Sequence, residues 1–280
     1  VELFLMAGPG EGPAEGVVIT GASDGIGAEL ARQWAATASA GCALVLAGRR
    51  ADALERVADE CRRQGAQAHV VPGDLSDPAQ CRSLIEQAVA RLGRIDVLVN
   101  NAGMSAHARF EDTPDLGWTE QLMRINHWSA VHVTHAALPH LLATRGRIGA
   151  VSSLAGLFGV PGRTAYCATK FAMTGFFEAL RTELDGRGVS VTLVHPGVVA
   201  TEARRRGFDA LGRPAGVSGL DESGAMPVDV CARLIREGLR ARRREVVMTA
   251  GGRFGRWLKL IAPGRVDALA HKALRQGAVR

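Results

Sequence analysis

"GVVITGASDGIG", residues 16–27, is the stretch on which the fold turns. GVVIT (16–20) is a short, continuous, β-branched run and reads as a strand. Glycines follow at 21, 25 and 27, and an amphipathic stretch runs from about 25 to 37. A strand, a glycine turn and a helix N-terminus together make an anion site. Backbone N–H groups and the positive end of the helix dipole face one point, and glycines let a pyrophosphate come close. Gly21, Ser23, Asp24, Gly25, Ile26 and Gly27 are therefore candidate cofactor contacts. A glycine spacing by itself is a weak sign, but here it opens the first βα unit, which is the context it needs.

The same alternation continues along the chain. Further strand-like runs are ALVLA (43–47), AHVVP (68–72), IDVLVN (95–100), RIGAVS (147–152), VSVTLV (189–194) and EVVMT (245–249). Amphipathic stretches separate them, over about 51–64, 78–91, 115–143, 163–185 and 227–241. Continuous apolar strands suit a sheet covered on both faces. The rhythm predicts an α/β fold, a single Rossmann-type doubly wound domain over 16–250 whose seven-stranded, mostly parallel sheet lies between helix layers. Residues 1–15 read as a flexible leader and 251–280 as a basic amphipathic extension. The segment 201–226, rich in Gly, Arg, Pro and Ser, is long for a connection and reads as a substrate loop.

Composition narrows the classes. The net charge of +6 is uneven: from Arg240 onward eleven basic residues face two acids, so the body is acidic and the tail basic. Such a tail suits a solvated surface or an anionic partner. The five cysteines, at 42, 61, 81, 167 and 231, have no metal-binding spacing and fit reduced thiols in a cytoplasmic protein. No run reaches the roughly 18 apolar residues of a membrane span. His132 and His135 lack a Cys or acid to complete a site, so no metal is expected.

The second strand ends in LAGRR (46–50). An acid at this place would bind the ribose 2′-hydroxyl of NAD, but Gly48 stands there and Arg49 and Arg50 follow. Arginine accommodates a 2′-phosphate, so NADP(H) is expected over NAD(H).

AYCATK (165–170) holds the only tyrosine of the chain, and the only lysine before residue 259 stands four places after it. The chain otherwise uses thirty-one arginines for positive charge. At i and i+4 on a helix, Tyr166 and Lys170 share a face and can address one point. A free phenol titrates at about 10. A neighbouring cation favours the phenolate and lowers that value, which suits proton transfer near neutral pH.

With these motifs in place the sequence resembles the short-chain dehydrogenase/reductase family, in its short form with a TGxxxGxG turn, over about residues 16–250. NNAG (100–103) follows the fourth strand, SS (152–153) ends the fifth, YCATK matches YxxxK, and HPGVVAT (195–201) follows the sixth. The three asparagines of the chain, Asn100, Asn101 and Asn126, all fall on motif positions. The resemblance implies a catalytic set of Asn126, Ser153, Tyr166 and Lys170. Tyr166 would exchange a proton with the substrate oxygen, and Ser153 would hydrogen-bond that oxygen. Lys170 would also hold the nicotinamide ribose, and Asn126 would position a water. It further implies that Asp74, with Leu75 beside it, meets the adenine. Asn100, Ala102 and Gly103 would line the adenosine ribose side. The Val198 backbone and the Thr201 hydroxyl would hold the nicotinamide carboxamide, with Pro196 and Gly197 also among the cofactor contacts. Ser152 is the rival of Ser153, Asp74 also suits a turn residue, Thr201 a helix cap, and His195 a packing residue.

The expected pocket, formed by Met104, 154–160 and the 201–226 loop, is mainly apolar, which favours a lipophilic ketone or alcohol. THAALPHL and SSLAGLFGVPGRTAY resemble the branch related to hydroxysteroid dehydrogenases. The family resemblance implies a homodimer or homotetramer formed through the two long helices, with no nucleic-acid partner. The tail would pack on the body or lie on a membrane surface. Two other readings share the motifs: a non-catalytic NADP(H)-binding sensor or scaffold, and an epimerase or dehydratase. The intact catalytic set argues against the first, and the glycine spacing and the short region after the sixth strand against the second.

Overall fold

The computed structural model describes residues 14–37, 41–218 and 222–277, with side chains as far as residue 271. The expected leader lies, up to residue 13, outside the described residues, as do residues 219–221 of the expected substrate loop. Seven strands form one sheet: β1 (Glu15–Thr20), β2 (Cys42–Gly48), β3 (Gln67–Pro72), β4 (Val97–Asn100), β5 (Arg147–Val151), β6 (Ser190–His195) and β7 (Glu245–Val247). Their order is β3-β2-β1-β4-β5-β6-β7 and every pairing is parallel.

Strand residues alternate between two cores, as the twofold pleat requires. Val17, Ile19, Leu44, Leu46, Val97 and Val99 enter one. It is closed by α1 (Gly25–Thr37), α2 (Ala51–Arg63) and α7 (Val228–Arg240). Val18, Val45, Leu98 and Ile148 enter the other, closed by α3 (Pro78–Leu92), α5 (Ser129–Thr144) and α6 (Thr164–Glu183). Hence the apolar runs of the sequence are continuous in the inner strands β1, β2, β4, β5 and β6, which are buried on both faces, while the edge strands β3 and β7 are partly exposed. All five cysteines are free and buried in these layers.

The helix expected over 115–143 is interrupted. It consists of α4 (Gly117–Met123), a π-helical turn (Arg124–Trp128) and α5. The backbone stays helical across the joint, so the rod runs on with a wider turn centred on Asn126. Beyond β7 come α8 (Ala250–Ile261) and α9 (Pro263–Gly277). α8 packs inward by its small and basic side. A Cβ on Gly252 would lie 2.5 Å from Leu154, Lys259 donates to the Leu157 carbonyl at 2.8 Å, and Arg256 pairs with Glu245. Its apolar residues Phe254, Trp257 and Ile261 are left exposed. Among the described residues no helix is long and apolar enough to cross a membrane.

Candidate active site

Strand order reverses between β2-β1 and β1-β4, and the glycine turn sits at the carboxyl end of β1, where an open sheet of this kind forms its crevice. Gly21 (φ 66°) and Gly25 (φ 52°) lie in the left-handed region. Space is short as well: a Cβ on Gly27 would stand 2.3 Å from the Gly21 carbonyl oxygen. The turn is stitched to the segment after β4. Thr20 Oγ1 accepts from the Asn101 and Ala102 amides, both at 3.0 Å, and Asn101 Nδ2 donates to the carbonyls of Thr20 (3.0 Å) and Gly21 (3.2 Å). Asn100 instead turns its buried amide to Thr134 on α5 (2.8 Å). The residue after β4 whose side chain reaches the turn is therefore Asn101, a motif position to which the sequence reading gave no contact of its own.

Arg50 reaches over the turn and donates to Ser23 Oγ (3.3 Å) and to Asp24. Arg206, from the loop after β6, meets the same Asp24 carboxylate. Arg49 is exposed, and a Cβ on Gly48 would meet nothing closer than 3.7 Å, so packing does not demand glycine there. Asp74 is exposed and accepts from Ser76 N (3.0 Å), a turn contact, while Asp77 caps α3. Leu75 is buried beneath them. The backbone of 196–201 returns to the site: Pro196 O accepts from Leu154 N (3.0 Å), a Cβ on Gly197 would meet Thr249, Val198 O accepts from Met226 N (2.8 Å), and the Thr201 methyl faces Gly25. Ile26, next in the turn, packs against the first core.

Tyr166 and Lys170 project from one face of α6. Lys170 is 4% exposed; its Nζ donates to the Val151 carbonyl at the end of β5 (3.0 Å) and lies 5.8 Å from the Tyr166 ring centroid. The paired serines separate. Ser152 Oγ turns beneath α6, to Lys170 O (3.2 Å) and Thr174 Oγ1 (3.3 Å), whereas Ser153 Oγ accepts from Ala155 N (3.2 Å) and its hydroxyl favours ionisation of the Tyr166 phenol. Asn126 is fully buried: Oδ1 accepts from Met104 N (2.7 Å), and Nδ2 donates to Met104 O (2.9 Å) and Thr169 Oγ1 (3.0 Å). A Cβ on Gly103 would lie 3.2 Å from Asn126 Oδ1 and 3.6 Å from Lys170 Nζ, so the glycine keeps these groups close. Burial, the largest influence on Tyr166, pushes its phenol up. The Lys170 ammonium, the Arg163 guanidinium and the Ser153 hydrogen bond outweigh it and hold the phenol below the ordinary tyrosine range. Burial likewise holds Lys170 below the ordinary lysine range, against the opposing pull of Tyr166.

Two residues support the site: His195, expected from the sequence as a packing residue, and Arg163, which escaped the sequence reading. His195, at the end of β6, is buried with Nδ1 3.0 Å from the Ser153 carbonyl oxygen and Nε2 3.2 Å from Glu245. It steadies the serine's backbone, which specifies the packing role expected of it. Arg163 lies against the Tyr166 ring. The one available signal was its position three residues before the tyrosine.

A doubly wound parallel sheet with a glycine turn at its switch point defines a Rossmann-type, dinucleotide-binding class of protein. The family model described as short chain dehydrogenase matches residues 15–211, and the chain belongs to that family. An 11-beta-hydroxysteroid dehydrogenase-like protein, 4A, of Arabidopsis thaliana is 44% identical over 184 residues, 65% of this chain and 60% of that protein. A Dictyostelium discoideum relative, dehydrogenase/reductase SDR family protein 7-like, is 34% identical over 91% of this chain and 80% of its own length. Among solved structures, a short chain dehydrogenase/reductase from Burkholderia phymatum in complex with NAD superposes with a TM-score of 0.77 at 26% identity, over 90% of this chain and 95% of its own. An alcohol dehydrogenase from Thermococcus sibiricus complexed with 5-hydroxy-NADP gives 0.71 at 26% identity, over 84% and 94%.

Proposed function

We propose that the chain is an NADP(H)-dependent oxidoreductase that moves hydride between nicotinamide and a carbonyl or secondary alcohol. The observation that carries this reading is the Tyr166–Lys170 pair on one face of α6, with the Ser153 hydroxyl favouring the ionised phenol and the glycine turn at the neighbouring strand end. The left-handed glycines and the start of α1 fit a pyrophosphate. The nicotinamide cofactor, when bound, supplies or accepts the hydride. The chain's own groups handle the proton and the charge. Tyr166 donates its proton to the substrate oxygen during reduction and takes it back during oxidation. Ser153 hydrogen-bonds the same oxygen as negative charge develops on it. Lys170 favours the phenolate and would hold the nicotinamide ribose, and Asn126 secures the bend that brings the 103–104 backbone beside Lys170.

The preference for NADP(H) is supported by Arg50 lying over the glycine turn, by exposed Arg49, and by Gly48 where an acid would serve NAD. Asp74 and Leu75 would flank the adenine, Ala102 and Gly103 its ribose, and 196–201 the carboxamide. A lipophilic ketone or alcohol fits the apolar surround of Met104, Trp118 and Phe208, and the hydroxysteroid-dehydrogenase names of the relatives agree with it. On the same reading one domain over 16–250 carries the chemistry. Copies associate through α5 and α6, and the C-terminal tail packs on the body of a cytoplasmic protein, with contact to a membrane surface as the alternative.

The test is consumption of NADPH, and separately of NADH, against aldehydes, aliphatic ketones and steroid-like ketones. NADPH should be preferred, and Arg50→Ala should reduce that preference by about ten- to a hundredfold, the worth of about 1.5–3 kcal/mol of charge-assisted hydrogen bonding. A clear preference for NADH would refute the reading of Arg49 and Arg50. Tight NADPH binding without turnover of any carbonyl or alcohol would favour the sensor.

A further inference from the structure

Arg163 is the N-cap residue of α6, three residues before Tyr166, and its side chain folds back onto the tyrosine. Its guanidinium carbon lies 4.0 Å from the Tyr166 ring centroid, and the residue is 9% exposed. Two bonds fix it there: Nε donates to the Ala106 carbonyl (3.1 Å) and Nη2 to Ser105 Oγ (2.7 Å). Residues 105–108 are themselves held. Ala108 N donates to Gly162 O (2.8 Å), Phe208 N to Ser105 O (3.0 Å) and His107 N to Phe208 O (3.0 Å). A guanidinium taken out of water ordinarily finds a carboxylate, because an unpaired buried charge is costly. Here burial depresses Arg163, and the groups that oppose this are Tyr166 and Cys167, not an acid. The cation is held where negative charge arises only when the phenol ionises.

The geometry points to Arg163 as a positioning residue for Tyr166: anchored by Ser105 and Ala106, it holds the phenol face-on and, together with Lys170, favours its anionic form. This rests on the reading of Tyr166 as the proton-transfer group. Cation–ring attraction fixes the ring, and it strengthens once the ring carries charge. The groups that face the phenol are few. On α6 they are Arg163, Cys167 and Lys170, and after β5 Ser153. Arg204, after β6, opposes the charge on Arg163, and Arg163 in turn depresses His107, after β4. Cys167 opposes ionisation of the phenol, while both cations and Ser153 promote it.

Tyr166 is the only tyrosine of the chain. Phenolate absorbance in the near ultraviolet therefore titrates this one group, in the purified chain and without substrate. The titration is run on the wild type, Arg163→Gln, Arg163→Met, Arg163→Lys and Lys170→Met, with circular dichroism at each pH to confirm folding. Removing a cation removes support for the anion, so the midpoint should rise in Arg163→Gln and Arg163→Met by about one pH unit or more, a tenfold or greater fall in the ionisation constant. Arg163→Lys restores the charge and should return most of the shift, which a merely structural role would not predict. A folded Arg163→Gln or Arg163→Met with the wild-type midpoint overturns the proposal. If Lys170→Met moves the midpoint in that case, the Tyr166–Lys170 reading survives alone; if it does not, that reading falls too. A chain that folds with neither charge-removing variant also overturns the proposal, because Arg163 then serves the fold.

Discussion

Tyr166→Phe is expected to lower turnover by about a hundred- to ten-thousandfold, the contribution of a positioned proton donor. Phenylalanine keeps the ring in the cluster of Met104, Ala106, Trp118 and Phe208 and under Arg163, so the surroundings should stand. Only the hydroxyl is lost, and with it the proton and the interaction with Ser153. Cofactor affinity should change little, because the glycine turn and 196–201 do not depend on that oxygen. Hydride transfer from NADPH to the best carbonyl of the panel, measured beside a cofactor-binding titration, separates the two effects. A variant that retained activity within about tenfold of wild type would show that the proton comes from another donor.

Gly27→Ala is expected to be the most damaging single-methyl change at the cofactor end. The added carbon would stand 2.3 Å from the Gly21 carbonyl oxygen and 2.6 Å from Asn101 Nδ2. Neither can retreat freely, since the oxygen is backbone and the amide is tied to Thr20 and Gly21. Overpacking of this kind costs about 1–3 kcal/mol. The displaced turn should also bind NADPH at least about tenfold more weakly, since each 1.4 kcal/mol is a factor of ten. Gly251→Ala is the matched control, because nothing lies within 4 Å of a Cβ there. Thermal unfolding with and without NADPH reads both terms. Equal Tm values for the two alanine variants would mean that the turn yields more easily than its geometry indicates.

The sheet was legible because its inner strands are buried on both faces and so leave nearly unbroken apolar runs. The motifs at the strand ends were legible because Tyr, Lys and Asn are scarce in this chain. The π-helical turn was not, because an apolar pattern over 115–143 continues across one widened turn without a break in its polar and apolar faces. Arg163 was hidden by abundance: among thirty-one arginines, one that lies on a tyrosine carries no compositional mark. Asn100 and Asn101 are adjacent and chemically identical, and only the direction of each side chain assigns one to α5 and the other to the turn. For α8 the amphipathic pattern was plain, but not its sense. Close packing of Gly252 and Gly255 draws the basic side inward and leaves Phe254, Trp257 and Ile261 outward.

The buried thiols give the molecule a built-in stopwatch. Burial pushes Cys42 and Cys231 up to about 12 and Cys61 and Cys81 up to about 11, and Cys167 also above its ordinary value. An alkylating reagent needs both access and a thiolate, so the folded chain should stay unlabelled while the denatured chain takes up five labels. The five sulfurs lie in β2, α2, α3, α6 and α7, so the order in which mass spectrometry finds them modified would rank the rates at which those elements open. A cofactor that clamps the glycine turn should slow the clock most at Cys42, on the strand paired with β1, and a uniform slowing at all five would mean that the sheet opens as one unit.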